Sequence, residues 1–172
     1  ILLGAGIVVA YALLSRVFPG SLAADEIYAR IGAPYGYWNA VGTTAALAVV
    51  PALWLGARRS GYLPANALAY PLLGLLVVAL FLSYSRGALA AAAVGAALWL
   101  AFVPLRLRSL AVLGLAAAGA APVILWALDQ DAFTEDGVQL AVREAAAAGF
   151  GLLLVAMVLV LLAAGLAVGF AN

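Results

Sequence analysis

Ser83-Tyr84-Ser85-Arg86-Gly87-Ala88 sets one arginine between the almost wholly apolar run from Ala67 to Leu82 and the charge-free run from Ala88 to Val103. Two runs of that length with a short polar break between them read as two membrane helices and their turn. Arg86 is then held at the lipid boundary, where a charge is costly unless it reaches water or a counter-ion. What partners Arg86 is the question the rest of the chain has to answer.

Composition sets the class. Hydrophobic residues make up 69% of the 172 and charged residues 9%, against about 25% charged in soluble domains, and the mean hydropathy is +1.21. This is the composition of an integral membrane protein. The basic residues are eight arginines, placed singly or in pairs, and the net charge is +1. Nucleic acid is therefore not an expected partner, because binding a phosphate backbone needs a basic patch. Cysteine and histidine are both absent, which removes disulfides, thiol catalysis, Cys/His metal sites, imidazole bases and histidine-ligated haem from consideration.

The apolar runs are 1–18, 40–57, 67–84, 88–103, 110–128 and 145–170. Each is close to the roughly 20 residues that cross about 30 Å of hydrocarbon, the shorter ones with help from their flanks. The runs are continuously apolar and rich in Ala and Leu, without the alternation of barrel strands. The expected fold is all-α, a polytopic bundle of about six spanning helices forming a single transmembrane domain. The chain opens and closes against apolar runs, the pattern of a fragment of a larger bundle, and 1–18 lacks the basic region and cleavage site of a signal peptide.

Arg58, Arg59, Arg106 and Arg108 fall on one alternate set of connections, which carries no acid. By the positive-inside rule that set is cytoplasmic. The other set carries all seven acids and is extracytoplasmic, along with Arg16, Arg30, Arg86 and Arg143. Arg143, beside Glu144, is expected in a local ion pair or at a solvated helix start. Arg16 is expected to snorkel to the interface. Arg30 opens the segment Arg30-Ile31-Gly32-Ala33-Pro34-Tyr35-Gly36-Tyr37-Trp38-Asn39, which reads either as an aromatic belt on a re-entrant turn or as part of a site. Arg86 reads either as a structural cap or ion-paired residue, or, with Ser83, Ser85 and Gly87, as part of an oxyanion pocket. Two guanidiniums at one end of a bundle could hold a pyrophosphate by bidentate, charge-assisted hydrogen bonds.

Arg30, Pro34 and Asn39 in the pattern Arg-x3-Pro-x4-Asn, followed two spans later by Ser85-Arg86-Gly87-Ala88, resemble the O-antigen ligase and O-antigen polymerase superfamily. The resemblance covers roughly residues 28–103. Its members are polytopic envelope enzymes of the bacterial cytoplasmic (inner) membrane that move a glycan from a polyprenyl-pyrophosphate carrier to an acceptor hydroxyl on the extracytoplasmic side. The resemblance implies that Arg30 and Arg86 bind the carrier pyrophosphate, and it implies a glycan or lipid acceptor and no cofactor. The alanine-rich, lysine-free composition is what a GC-rich genome such as an actinobacterial one gives. One departure stands out: family ligases carry a long outer loop with a histidine, whereas residues 129–144 form a short connection without one. Either that loop follows Asn172 or its chemistry is lost.

In such a transfer, arginines stabilise the charge developing on the leaving pyrophosphate without a metal or nucleotide. Glu135, Asp136 and Glu144 are the acids on the required side, although an acidic loop is usually just solvated. Tyr35, Tyr37, Trp38, Asn39, Tyr84 and Ser85 are candidates to line a sugar or prenyl groove, with interfacial anchoring as the competing role for the aromatics. A lipid-linked glycan transporter or flippase is the alternative of another class, weakened by the lack of ionisable residues at mid-span. A non-catalytic structural membrane protein is the other.

Overall fold

A computed structural model describes residues 1–58 and 61–170, so Arg59 lies outside the described residues. Among them there is no strand. The chain is an all-α polytopic bundle of α1 (Leu2–Val17), α2 (Pro19–Leu22), α3 (Trp38–Ala57), α4 (Leu63–Leu82), α5 (Arg86–Phe102), α6 (Arg106–Leu128), α7 (Asp131–Thr134) and α8 (Leu140–Phe170). Helices α3, α4, α6 and α8 are long and apolar enough to cross a membrane. Apolar helices α1 and α5 have 16 and 17 residues, or about 24–26 Å at 1.5 Å per residue, about one turn short of the hydrocarbon thickness.

Helices begin earlier than the apolar runs that announce them. α4 starts at Leu63 instead of Ala67, α6 at Arg106 instead of Leu110, and α8 at Leu140 instead of Ala145. A hydropathy run stops at a charge or a proline, whereas a first helical turn accepts both. Pro64 sits in the first turn of α4, where its missing N–H has no intrahelical partner to lose.

α4 is the central helix, packed against α1, α3, α6 and α8. That accounts for its all-round hydrophobicity, which would otherwise face water or lipid. By contrast α5 buries only Ala88, Ala92 and Ala96, one residue per turn, and packs mainly on α3. Leu161 of α8 is 2% exposed and lies against Gly74 of α4 and Gly119 of α6. One turn further on, a Cβ added to Gly165 would come within 2.7 Å of the Ala67 carbonyl oxygen. Such close approach of two backbones is what small residues permit between membrane helices.

The α4–α5 turn is only three residues long. Ser83 ends α4, Tyr84 adopts a left-handed φ of +50°, and Ser85 caps α5, its hydroxyl accepting from the Ala88 N–H at 3.3 Å. Oxygen caps of this kind satisfy one of the donors that a helix start leaves open. The sequence expectation of a break at residues 83–88 is met by a three-residue connection, as short as the one between α5 and α6.

Candidate functional site

The end of the bundle that carries the acidic connections is organised around residues 23–37. Arg16, in the last turn of α1, points its guanidinium into this segment. Its Nη2 donates to the carbonyls of Tyr28 at 2.9 Å, Ala29 at 3.1 Å and Arg30 at 2.7 Å. Arg143, in the first turn of α8, donates from Nη1 and Nη2 to the carbonyls of Ala23 and Ala24, both at 2.8 Å. Both side chains are more than nine-tenths buried. The expectations of a snorkelling Arg16 and an ion-paired or solvated Arg143 are corrected here: backbone carbonyls, not water or carboxylates, receive these two charges.

Further bonds pin the same segment. The Ala29 N–H donates to Asp136 Oδ1 at 2.8 Å, the Ile31 N–H to the Leu82 carbonyl at 3.1 Å, and the Gly137 N–H to the Ile27 carbonyl at 2.6 Å. The connection after α6 is held in turn by Phe133, which is 2% exposed and packs on Phe150 and Trp126 at ring distances of 4.7 and 6.2 Å. Residues 129–139 are therefore more than a solvated acidic loop. Asp136 serves as an acceptor for the neighbouring backbone, while Glu135 and Glu144 are exposed.

Arg30 is half-buried and lies over the Trp38 ring, 4.7 Å from its centroid. Trp38 also meets Tyr28 edge-on at 5.4 Å and Tyr37 at 5.5 Å, and Asn39 Nδ2 donates to the Tyr37 hydroxyl at 2.6 Å. Arg30, Tyr37, Trp38 and Asn39 thus form one cluster at the entry to α3. Tyr35 is exposed next to it. Tyr84 belongs to the same end. Its hydroxyl donates to the Phe133 carbonyl at 3.1 Å, and burial pushes its phenol up while the Arg30 charge draws it back.

Arg86 is the first residue of α5 and is exposed. Among the described residues its guanidinium has no hydrogen-bond or ion-pair partner, so neither a carboxylate nor a carbonyl accounts for it. Ser83 and Ser85 are both buried, their hydroxyls used within the turn: Ser83 Oγ donates to the Leu80 carbonyl at 2.8 Å and accepts from the Ser85 N–H at 3.3 Å. Gly87 has nothing within 4 Å of an added Cβ. A groove of about 320 Å³ starts at this open position and runs between α3 and α5, bounded by Thr43, Leu47 and Val50 on one side and Gly87, Ala91 and Gly95 on the other. Among the described residues no hydrogen bond or ring contact links Arg30 to Arg86; Tyr84, two residues before Arg86, feels the Arg30 charge.

Chemically, this end can attract an anion. The first turn of α5 adds its open N–H groups and the positive end of its dipole to the Arg86 charge. A sequence reading overlooked Arg16, Arg143 and Asp136 as the residues that shape this end. For the two arginines the signal was the period: Arg16 continues the buried positions Ala5, Val9 and Ala12 of α1. Arg143 likewise heads the buried stripe Ala147, Phe150, Leu154, Met157 and Leu161 of α8, so each lies on the packed face of its helix. Compared with models of protein families, with curated proteins and with solved structures, the chain matches none.

Proposed function

We propose that the chain is part of an O-antigen ligase-like membrane glycosyltransferase, with the end that holds Arg30 and Arg86 facing out of the bacterial cytoplasmic membrane. In this reading a polyprenyl-pyrophosphate donor lays its pyrophosphate against the first turn of α5 and its prenyl chain along the groove between α3 and α5. A glycan or lipid hydroxyl attacks the anomeric carbon, and the lipid pyrophosphate leaves. The observation that carries the proposal is Arg86: a guanidinium at a helix start, with no protein partner among the described residues, beside an apolar groove open at Gly87. A cation so placed at a lipid boundary favours an anionic group on a lipid. Arg30, steadied on Trp38, supplies a second positive charge at the same end, with Tyr37 packed on the same tryptophan and Tyr84 within reach of the Arg30 charge. No general base is assigned.

Binding of an undecaprenyl-pyrophosphate analogue to the protein in nanodiscs tests this reading, with wild type compared with Arg86→Ala and Arg30→Ala after each is shown to be folded. Loss of about 1.5–3 kcal/mol of binding free energy for Arg86→Ala, the scale of a hydrogen bond to a charged group, is expected. Equal affinity in all three folded proteins would leave a structural membrane protein as the better description. Tight binding together with movement of the lipid between leaflets would favour a flippase.

A further inference from the structure

The end of the bundle that carries the acidic connections also holds a cavity that neither Arg30 nor Arg86 lines. Its volume is about 290 Å³, and it lies between the end of α6, the short α7 and the first turns of α8. Trp126, Asp129 and Gln130, at positions i, i+3 and i+4, share one face at the end of α6, and Asp131 joins them from the start of α7. Opposite them α8 presents Ala145, Ala146 and Gly149. Gly149 sets the space. A Cβ there would come within 2.7 Å of Trp126 Cζ2, so the indole lies hard against α8 and a larger residue would displace it.

The polar side chains of this cavity are uncommitted. Among the described residues the carboxylates of Asp129 and Asp131, the amide of Gln130 and the indole N–H of Trp126 have no hydrogen-bond or ion-pair partner. No arginine lines the cavity. The nearest in sequence, Arg143, lies on the packed stripe of α8 with Ala147 and Phe150 and is spent on the carbonyls of Ala23 and Ala24. Two carboxylates without a counter-charge at the end of a membrane helix favour a cation. The set of acceptors selects its kind. Among the described residues no three metal-binding side chains gather into a site, and two carboxylates fall short of the six or more oxygens that calcium takes. A primary ammonium has three N–H donors, and Asp129, Gln130 and Asp131 offer three acceptor side chains in succession. Carboxylates bind such donors through charge-assisted hydrogen bonds, and an indole beside them attracts the same cation. The volume, about 290 Å³, is close to the roughly 300 Å³ at which small-molecule sites begin, which suits a group the size of a lipid head group.

We propose that this cavity binds a primary ammonium group. Asp129, Gln130 and Asp131 accept its three N–H bonds, while Trp126 and the α8 wall pack the carbon atoms next to it. Such a group is carried by the ethanolamine head of a phospholipid and by small soluble amines. A quaternary ammonium, which has no N–H to donate, satisfies none of the three acceptors. The site uses neither Arg30 nor Arg86, and its occupancy does not depend on what they bind.

Two measurements on the protein in nanodiscs test the proposal and separate the sources. Native mass spectrometry after release from equal parts phosphatidylethanolamine and phosphatidylcholine reads the lipid; ligand-observed NMR of ethanolamine against choline, in phosphatidylcholine nanodiscs, reads the soluble amine. Wild type is expected to prefer the primary amine, in the first measurement if the group comes from the bilayer and in the second alone if it comes from solution. Asp129→Asn and Asp131→Asn should each reduce that preference by about ten-fold or more, as expected for loss of a charge-assisted hydrogen bond. Gly149→Ala, which displaces the indole without touching a carboxylate, should weaken it too. Asp25→Asn, which removes an exposed acid that does not line the cavity, should leave it unchanged. Equal treatment of primary and quaternary amines by wild type in both measurements, a result that needs no variant to fold, overturns the proposal. So does a preference that survives the two asparagine substitutions combined in folded protein, or one that Asp25→Asn reduces as much as they do.

Discussion

Arg16→Met removes a buried guanidinium and keeps an apolar side chain of similar reach. In wild type one nitrogen, Nη2, serves three carbonyls at 2.9, 3.1 and 2.7 Å. It carries two hydrogens, so these contacts amount to two full hydrogen bonds, one of them shared. At about 1.5–3 kcal/mol for a bond to a charged group, the gross loss is about 3–6 kcal/mol. Part of this is offset, because a side chain only 4% exposed with an unpartnered Nε carries a desolvation penalty that disappears with the charge. Arg143 is also within electrostatic reach and repels it, while Glu26 attracts it. The net expectation is destabilisation by about 2–4 kcal/mol. Unfolding in mixed detergent micelles measures it, and amide exchange localises it: the Ala29 and Ile31 amides, bonded to Asp136 and to the Leu82 carbonyl, should lose protection first. Arg16→Lys should recover only part of the loss, because an ammonium lacks the planar fork. Stability within about 0.5 kcal/mol of wild type, the range of an ordinary surface substitution, with unchanged exchange at Ala29 and Ile31, would refute the view that Arg16 holds this segment.

Gly42→Ala puts a Cβ 2.7 Å from Ser83 Oγ and 3.0 Å from the Cβ atoms of Ser85 and Ala88. Overpacking of that kind costs about 1–3 kcal/mol and should exceed the gain in helix propensity. The control is Gly114→Ala, where an added Cβ meets nothing within 4 Å and a gain of up to about 1 kcal/mol is expected; the same unfolding assay compares them, and equal shifts would show that the Ser83–Ser85 turn yields freely. Tyr84→Phe tests alkaline behaviour. Burial raises the Tyr84 phenol above its ordinary 10.0, so its contribution is complete below that value and is lost as pH rises through the higher folded value. The stability difference between wild type and Tyr84→Phe should therefore be constant near neutrality and shrink in the alkaline range; a difference that stays flat there would mean that another group titrates.

How much of this was legible beforehand depended on whether a feature is local. The break at residues 83–88 was legible because a charge between two apolar runs must sit at a boundary, and its detail, a serine cap followed by an arginine at the helix start, follows from short-range bonding. The aromatic cluster at the entry to α3 was legible as composition, but the stacking of Arg30 on Trp38 was not. Asp136 looked like one more solvated acid. Its role depends on Ala29, more than a hundred positions away, and no spacing rule links an acid to a backbone N–H that distant.

Composition and hydropathy alone determined that the chain is an all-α bundle of apolar helices, roughly where each helix runs, and that acids and the paired arginines lie at opposite ends. Hydropathy suffices for these because transfer into lipid is nearly additive along a helix, residue by residue. Only the tertiary structure decided the fates of the individual arginines. Arg16 and Arg143 went to backbone carbonyls, Arg58 to Asn66 and Trp54, and Arg86 was left exposed at the start of α5. A buried charge is stabilised by whatever dipoles the fold brings within about 3 Å of it, and carbonyls, present at every residue, acquire that role only when the chain has closed around the charge.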